Sequence, residues 1–169
     1  KVIFIPLGLM VLAFAVDGVN SYLTLMQGLG TSFFSAIPTL YEPNNTLRLL
    51  TGTGMGLVIA AVLFPAFNQT LWEDWDKRPS LGNWRTFGLL LVLALIMDLL
   101  VLSDAVFVLY PLAILSALAV PLLLTMVYGL FAVMATRKDN TYGRLSQAWL
   151  PLTAGFTIAM LQIVIFDIL

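Results

Sequence analysis

Apolar residues gather into five long runs, at about 2–27, 46–67, 84–102, 107–136 and 145–169, with shorter polar stretches between them. A helix needs about 20 largely apolar residues to cross a bilayer, and each run is of that order. The pattern predicts an all-α integral membrane bundle of five transmembrane helices, forming a single domain over 1–169. The first run follows Lys1 and passes through Ala13-Phe14-Ala15. It has the outline of a signal peptide, but we read it as a first span. The chain opens on Lys1 rather than Met, and we expect an N-terminal part to precede it. The turn at Ser103-Asp104 is very short, which predicts that the third and fourth helices are antiparallel neighbours. Pro121 should kink the fourth helix and Pro65 should bend or end the second, because proline removes a helical donor and crowds the preceding turn. Pro151 falls about two turns into the fifth run. The two halves show no repeat, so the inverted-repeat signature of secondary transporters is missing.

Composition supports the membrane reading. Of 169 residues 60% are hydrophobic and 10% charged, against roughly 25% charged in soluble domains. Counting sides by the order of crossing, Lys1, Lys77, Arg78, Arg85, Arg137, Lys138 and Arg144 share one side, and of the basic residues only Arg48 falls on the other. Basic loops mark the cytoplasmic face, so the N-terminus is expected in the cytoplasm and the C-terminus outside, in a prokaryotic inner membrane. Trp72, Trp75, Trp84 and Trp149 fall near the basic side, where indoles favour the interface. The outer loop, with Phe33, Phe34, Ile37 and Leu40, is expected to lie on the membrane or a partner. The inner loop around Trp72 to Arg78 reads as interfacial. The net charge of −1 gives no reason to expect nucleic acid. There is no Cys and no His, so thiol chemistry, Cys or His zinc sites and His-ligated haem or chlorophyll are not available to these residues. No metal site is predicted.

The candidate chemistry is polar groups inside spans. Asp17, Asn20, Ser21, Thr24 and Gln27 fall on one face of the first helix. An Asp inside a span costs roughly 2.5–3.5 kcal/mol on insertion scales and should face a partner or a wet cavity. Arg48, near the outer start of the second helix, is the expected partner of Asp17. Such a pair either forms an ion, proton or polar-ligand site or simply locks two helices together. If it is direct, Asp17→Asn should destabilise more than Asp17→Asn with Arg48→Gln. Asp98 has no obvious local partner. It is either a proton-accepting group near that pair or an Asp that reaches the outer interface or bonds hydroxyls of another helix. Gly52, Gly56 and Ala60 form a small-residue face for close helix packing, with a weaker copy at Gly155 and Ala159. Asn45 is expected to cap the second helix.

Some of these residues also carry a resemblance. Asp17-Gly18, the run Asn45-Thr46-Leu47-Arg48-Leu49-Leu50-Thr51-Gly52, Gly56 and Pro65 are similar, in order, to the domain-of-unknown-function 2085 family of small prokaryotic membrane proteins. The resemblance runs from Pro6 to Pro65. That family also carries Cys and His residues upstream, which this sequence does not contain. No metal role comes with the resemblance, and it implies no established activity.

Three functional readings remain. The first is a non-catalytic membrane subunit, packed against other integral subunits and lipid in a larger complex, for example an energy-converting one, where it could hold lipid, quinone or carotenoid. The second is a proton, ion or small-solute transporter or channel lined by Asp17, Arg48 and Asp98. A lipid-active enzyme is the weakest, because no nucleophile and base form a convincing set.

Overall fold

The computed structural model describes residues 3–30, 36–77 and 80–168. Its order is α1 (Phe4–Gly28), α2 (Asn45–Leu71), α3 (Trp84–Leu102), α4 (Val106–Ala135) and α5 (Trp149–Ile168). All five are long and apolar enough to cross a membrane. There is no β-strand among the described residues, and one isolated bridge pairs Trp72 with Tyr142. Phe33, Phe34, Arg78 and Lys1, named above, lie outside the described residues, as does the last residue of the fifth run.

Helix boundaries follow from local chemistry. α2 begins after Asn44, whose Oδ1 accepts the Leu47 N–H at 2.8 Å. The cap is therefore Asn44 and not the expected Asn45, which is the first helical residue. Asn83 caps α3 in the same way, accepting the Thr86 N–H at 2.7 Å. α5 starts at Trp149, four residues later than the apolar run, because 144–148 form turns that include Gln147 Oε1 accepting the Gly143 N–H at 2.9 Å. Pro151 is consequently in the first turn of α5, where a missing N–H costs no helical bond. Pro65 does not end α2, which runs on to Leu71. α4 is a single 30-residue helix through both Pro111 and Pro121. Thr125 Oγ1 donates to the Pro121 carbonyl at 2.6 Å.

Contacts group the chain into two units, Lys1–Ala60 with Asn83–Ser103, and Ala61–Gly82 with Asp104–Leu169. In the first, α1 approaches α2 at Gly54, where a Cβ would lie 3.3 Å from Met10 Cγ. Thr53 Oγ1 ties α2 to α3 by donating to Asp98 Oδ1 at 2.6 Å. The segment before α2 folds back along α1. Gln27 Nε2 donates to the Ile37 carbonyl at 2.6 Å, the Leu40 N–H donates to Asn20 Oδ1 at 2.7 Å, and Asn20 Nδ2 donates to the Tyr41 carbonyl at 2.9 Å. Irregular backbone at membrane depth is tolerated only where its polar groups are satisfied within the protein. The polar stripe of α1 does that.

In the second unit α4 packs against α5. A Cβ at Gly155 would stand 2.6 Å from the Gly129 nitrogen and 2.7 Å from the Thr125 carbonyl oxygen. Only a glycine fits there. Ala159, one turn on, is fully buried. The Tyr128 hydroxyl donates to Gln162 Oε1 across the same pair. At the end of α2 the inner loop is held by the α4–α5 connection: Asn140 N–H to the Thr70 carbonyl at 2.9 Å, Tyr142 N–H to the Leu71 carbonyl at 3.3 Å, and Glu73 N–H to the Tyr142 carbonyl at 3.1 Å. Beneath these bonds Leu71, Val133, Tyr142 and Ala148 form a small buried core. The start of the inner loop is thus anchored to protein.

Candidate functional site

The polar groups of the first unit lie along α2, on two sides of it. Thr51 faces Asp17 of α1, and Thr53 faces Asp98 of α3. Residues two positions apart on a helix are separated by about 200°, so one helix can serve both neighbours.

Asp17 is 5% exposed. Its Oδ1 accepts the Tyr41 hydroxyl at 2.6 Å, and its Oδ2 accepts Thr51 Oγ1 at 3.2 Å. Thr51 Oγ1 also lies 2.9 Å from the Leu47 carbonyl oxygen, the usual back-bond of a helical threonine. The expected Asp17–Arg48 pair does not form. Arg48 Nε instead donates to Ser21 Oγ at 3.3 Å, one turn further along α1. The reason is the length of α1. It continues to Gly28, so Asp17 lies 11 residues, about 16 Å, from its end. The returning segment brings the Tyr41 hydroxyl to the carboxylate, while Arg48 stays exposed at the second turn of α2. The hydrogen bond to Asp17 raises the pKa of the Tyr41 phenol above its ordinary value, with desolvation and then the carboxylate's charge adding to the effect.

Asn20 is 2% exposed, and its amide makes the two backbone bonds described above. Asn20 is therefore a clamp for residues 40 and 41. Thr24 Oγ1 returns to the Asn20 carbonyl at 2.9 Å.

Asp98 is 4% exposed. Oδ1 takes the Thr53 hydroxyl, and Oδ2 is buried without a hydrogen-bond partner. Leaving a buried polar atom unsatisfied costs about 1–3 kcal/mol, more when it is charged. Asp98 lines a cavity of about 240 Å³ with Met10, Ala13, Thr51, Thr53 and Leu91 among its walls. Among the described residues no three acidic side chains come together as a metal-binding group.

The small-residue faces behave differently. A Cβ at Gly52 or at Gly56 would meet nothing within 4 Å, and Gly56 and Ala60 are exposed. The close contact of α2 inside its unit is at Gly54. Gly155 and Ala159 lie in the α4–α5 contact.

Tyr41, Thr51 and Thr53 are the site residues that sequence reasoning missed. Tyr41 sits in an irregular segment with no periodicity to place it. The threonines carried one usable signal: hydroxyls on α2 beside two carboxylate-bearing helices are the nearest donors available within the bilayer.

Five long apolar helices among the described residues, with buried carboxylates inside them, define a polytopic helical membrane protein. A family described as a predicted membrane protein (DUF2085) matches residues 1–62. That stretch covers α1, the returning segment and α2 as far as Val62, so it contains Asp17, Asn20, Tyr41, Arg48, Thr51 and Thr53, while Pro65, Asp98 and α3 to α5 lie beyond it. No curated protein and no solved structure matches the chain.

Proposed function

We propose that the chain is a non-catalytic, multi-pass subunit of a prokaryotic cytoplasmic membrane, which packs against other integral subunits. The observation that carries this reading is the open face of α2. Gly52, Gly56 and Ala60 are spaced for close helix approach, and nothing in their own unit occupies the space above Gly52 or Gly56. Small residues at that spacing let a second backbone come near. The distribution of basic residues supports a cytoplasmic N-terminus and an external C-terminus. Lipid, quinone or carotenoid are the molecules such a subunit could hold.

Purification from native membranes in mild detergent, followed by mass spectrometry, tests the proposal. Integral membrane proteins should co-purify in fixed ratio, and Gly56→Leu should release them while the chain stays folded. A lone chain or a homo-oligomer would reject it.

A second reading has one observation in its favour, the unpartnered oxygen of Asp98. In that reading the chain moves a proton, an ion or a small solute past Asp17, Arg48 and Asp98. Asp98→Asn and Arg48→Ala should then abolish flux in proteoliposomes. Equal flux in wild type and variants, or none in wild type, rejects it.

A further inference from the structure

Where α1 ends and α2 begins lies an open cavity of about 490 Å³. Its volume falls within the roughly 300–1,000 Å³ of small-molecule sites. Ser21, Thr24 and Leu25 of α1, Leu29 at the α1 C-cap and Arg48 of α2 are among its walls, and no acidic residue lines it. The polar group here is accessible, because Arg48 is exposed. Arg48 Nε donates to Ser21 Oγ at 3.3 Å, which ties the guanidinium to α1. Its two Nη groups have no protein partner among the described residues. The Ser21 hydroxyl accepts the Arg48 bond and keeps its own proton to donate. Thr24 gives its proton to the Asn20 carbonyl.

The free donors call for an anion rich in acceptor oxygens. The two Nη groups form a planar fork that matches phosphate oxygens. An arginine at the end of a span ordinarily just reaches toward water, but this one has hydrocarbon beside it. Leu25 and Leu29 are 58% and 67% exposed. A free ion from water would leave both leucines uncovered, whereas a lipid covers them and supplies the anion. The depth agrees, since the cavity lies at the ends of two helices long enough to cross a bilayer, where phospholipid phosphates lie. With no acidic residue in the lining, nothing there receives the ammonium of a zwitterionic headgroup.

We propose that this cavity holds the headgroup of an anionic phospholipid. The Arg48 Nη groups donate to the phosphodiester oxygens, Ser21 adds a hydroxyl donor, and Leu25 and Leu29 take the glycerol backbone and the start of the acyl chains. The site lies within one unit and within the matched family segment. It narrows the lipid of the preceding proposal to one class and one place. It does not depend on the chain having protein partners, so the two proposals can fail separately.

The test uses the whole chain, stripped of lipid in detergent and titrated with dioleoyl phosphatidylglycerol, with bound lipids counted by native mass spectrometry. The first phosphatidylglycerol should bind more tightly than phosphatidylethanolamine of the same chains. Arg48→Gln should weaken it by about tenfold or more, as expected for losing a charged hydrogen bond. Lys138→Gln removes an exposed charge outside the cavity and should change it by less than about fivefold. A second variant keeps the charge: a Cβ at Gly28, another lining residue, would meet nothing within 4 Å, so Gly28→Phe can crowd the cavity and should cause a loss like that of Arg48→Gln. Millimolar inorganic phosphate should leave lipid occupancy unchanged. Equal binding of the two lipids, equal losses in Arg48→Gln and Lys138→Gln, wild-type binding in Gly28→Phe, or displacement by free phosphate would each overturn the proposal. If Arg48→Gln does not fold, Gly28→Phe and the wild-type comparison decide.

Discussion

At the residue scale the lesson is which partner a buried carboxylate finds. A charge of opposite sign on the next helix was the natural expectation for Asp17. The structure supplies hydroxyls instead, from Tyr41 and Thr51. A double-mutant cycle separates the two. Asp17→Asn and Tyr41→Phe should couple by about 0.5–3 kcal/mol, whereas Asp17→Asn and Arg48→Gln should be additive within about 0.5 kcal/mol. Unfolding in mixed micelles reads both, and strong Asp17–Arg48 coupling would restore the ion pair. Tyr41 gives a second check. Its pKa is raised by Asp17, so the folded state holds the phenolic proton more tightly than the unfolded state does. The associated stability is present below the unfolded value of about 10 and is lost as pH rises through the folded value. The phenolate absorbance that disappears in Tyr41→Phe should therefore arise at higher pH in folded protein than after unfolding. Coincident titrations would show that the hydrogen bond is absent in solution.

At the scale of elements, the apolar runs placed all five helices, because a span must satisfy its backbone internally and hydrophobic length then marks it. What composition could not place were features set by single side chains. The cap moved from Asn45 to Asn44, and the start of α5 moved to Trp149 once Gln147 closed a turn ahead of it. Pro65 and Pro121 interrupt a hydrogen-bond ladder without ending a helix, which hydropathy does not distinguish from a break. The candidate site was half legible: periodicity showed the polar stripe of α1, but not that Asn20 and Gln27 grip a returning segment, since that depends on the irregular backbone at Ile37 to Tyr41. The two glycine faces make the sharpest contrast between elements. Gly155→Ala forces a Cβ against backbone of α4. Overpacking of this kind typically costs about 1–3 kcal/mol. Gly56→Ala meets open space in its unit and should leave the stability of the isolated chain within about 0.5 kcal/mol of wild type. Thermal unfolding of the two variants checks the pair, and equal losses would mean that the Gly56 face is packed.

For the whole molecule the charge pattern and the helix order make one joint prediction. An odd number of crossings puts the two ends of the chain on opposite sides, and the basic connections between α2 and α3 and between α4 and α5 should then share the side of the N-terminus. None of these 169 residues is a cysteine, so labelling of a thiol introduced among them is read against the unsubstituted protein as its control. Ser80→Cys and Asp139→Cys should react with a membrane-impermeant maleimide only when the cytoplasmic face is exposed, as in inverted vesicles. Glu42→Cys and Asp104→Cys should react in intact cells whose outer barrier has been opened. These four positions test more than orientation. Glu42 adjoins Tyr41 on the segment that returns along α1, so labelling there from outside would also put the Tyr41–Asp17 bond in the outer half of the membrane. Reactivity of Glu42→Cys and Ser80→Cys from the same side would mean that α2 does not cross, and the five-span topology would fall with it.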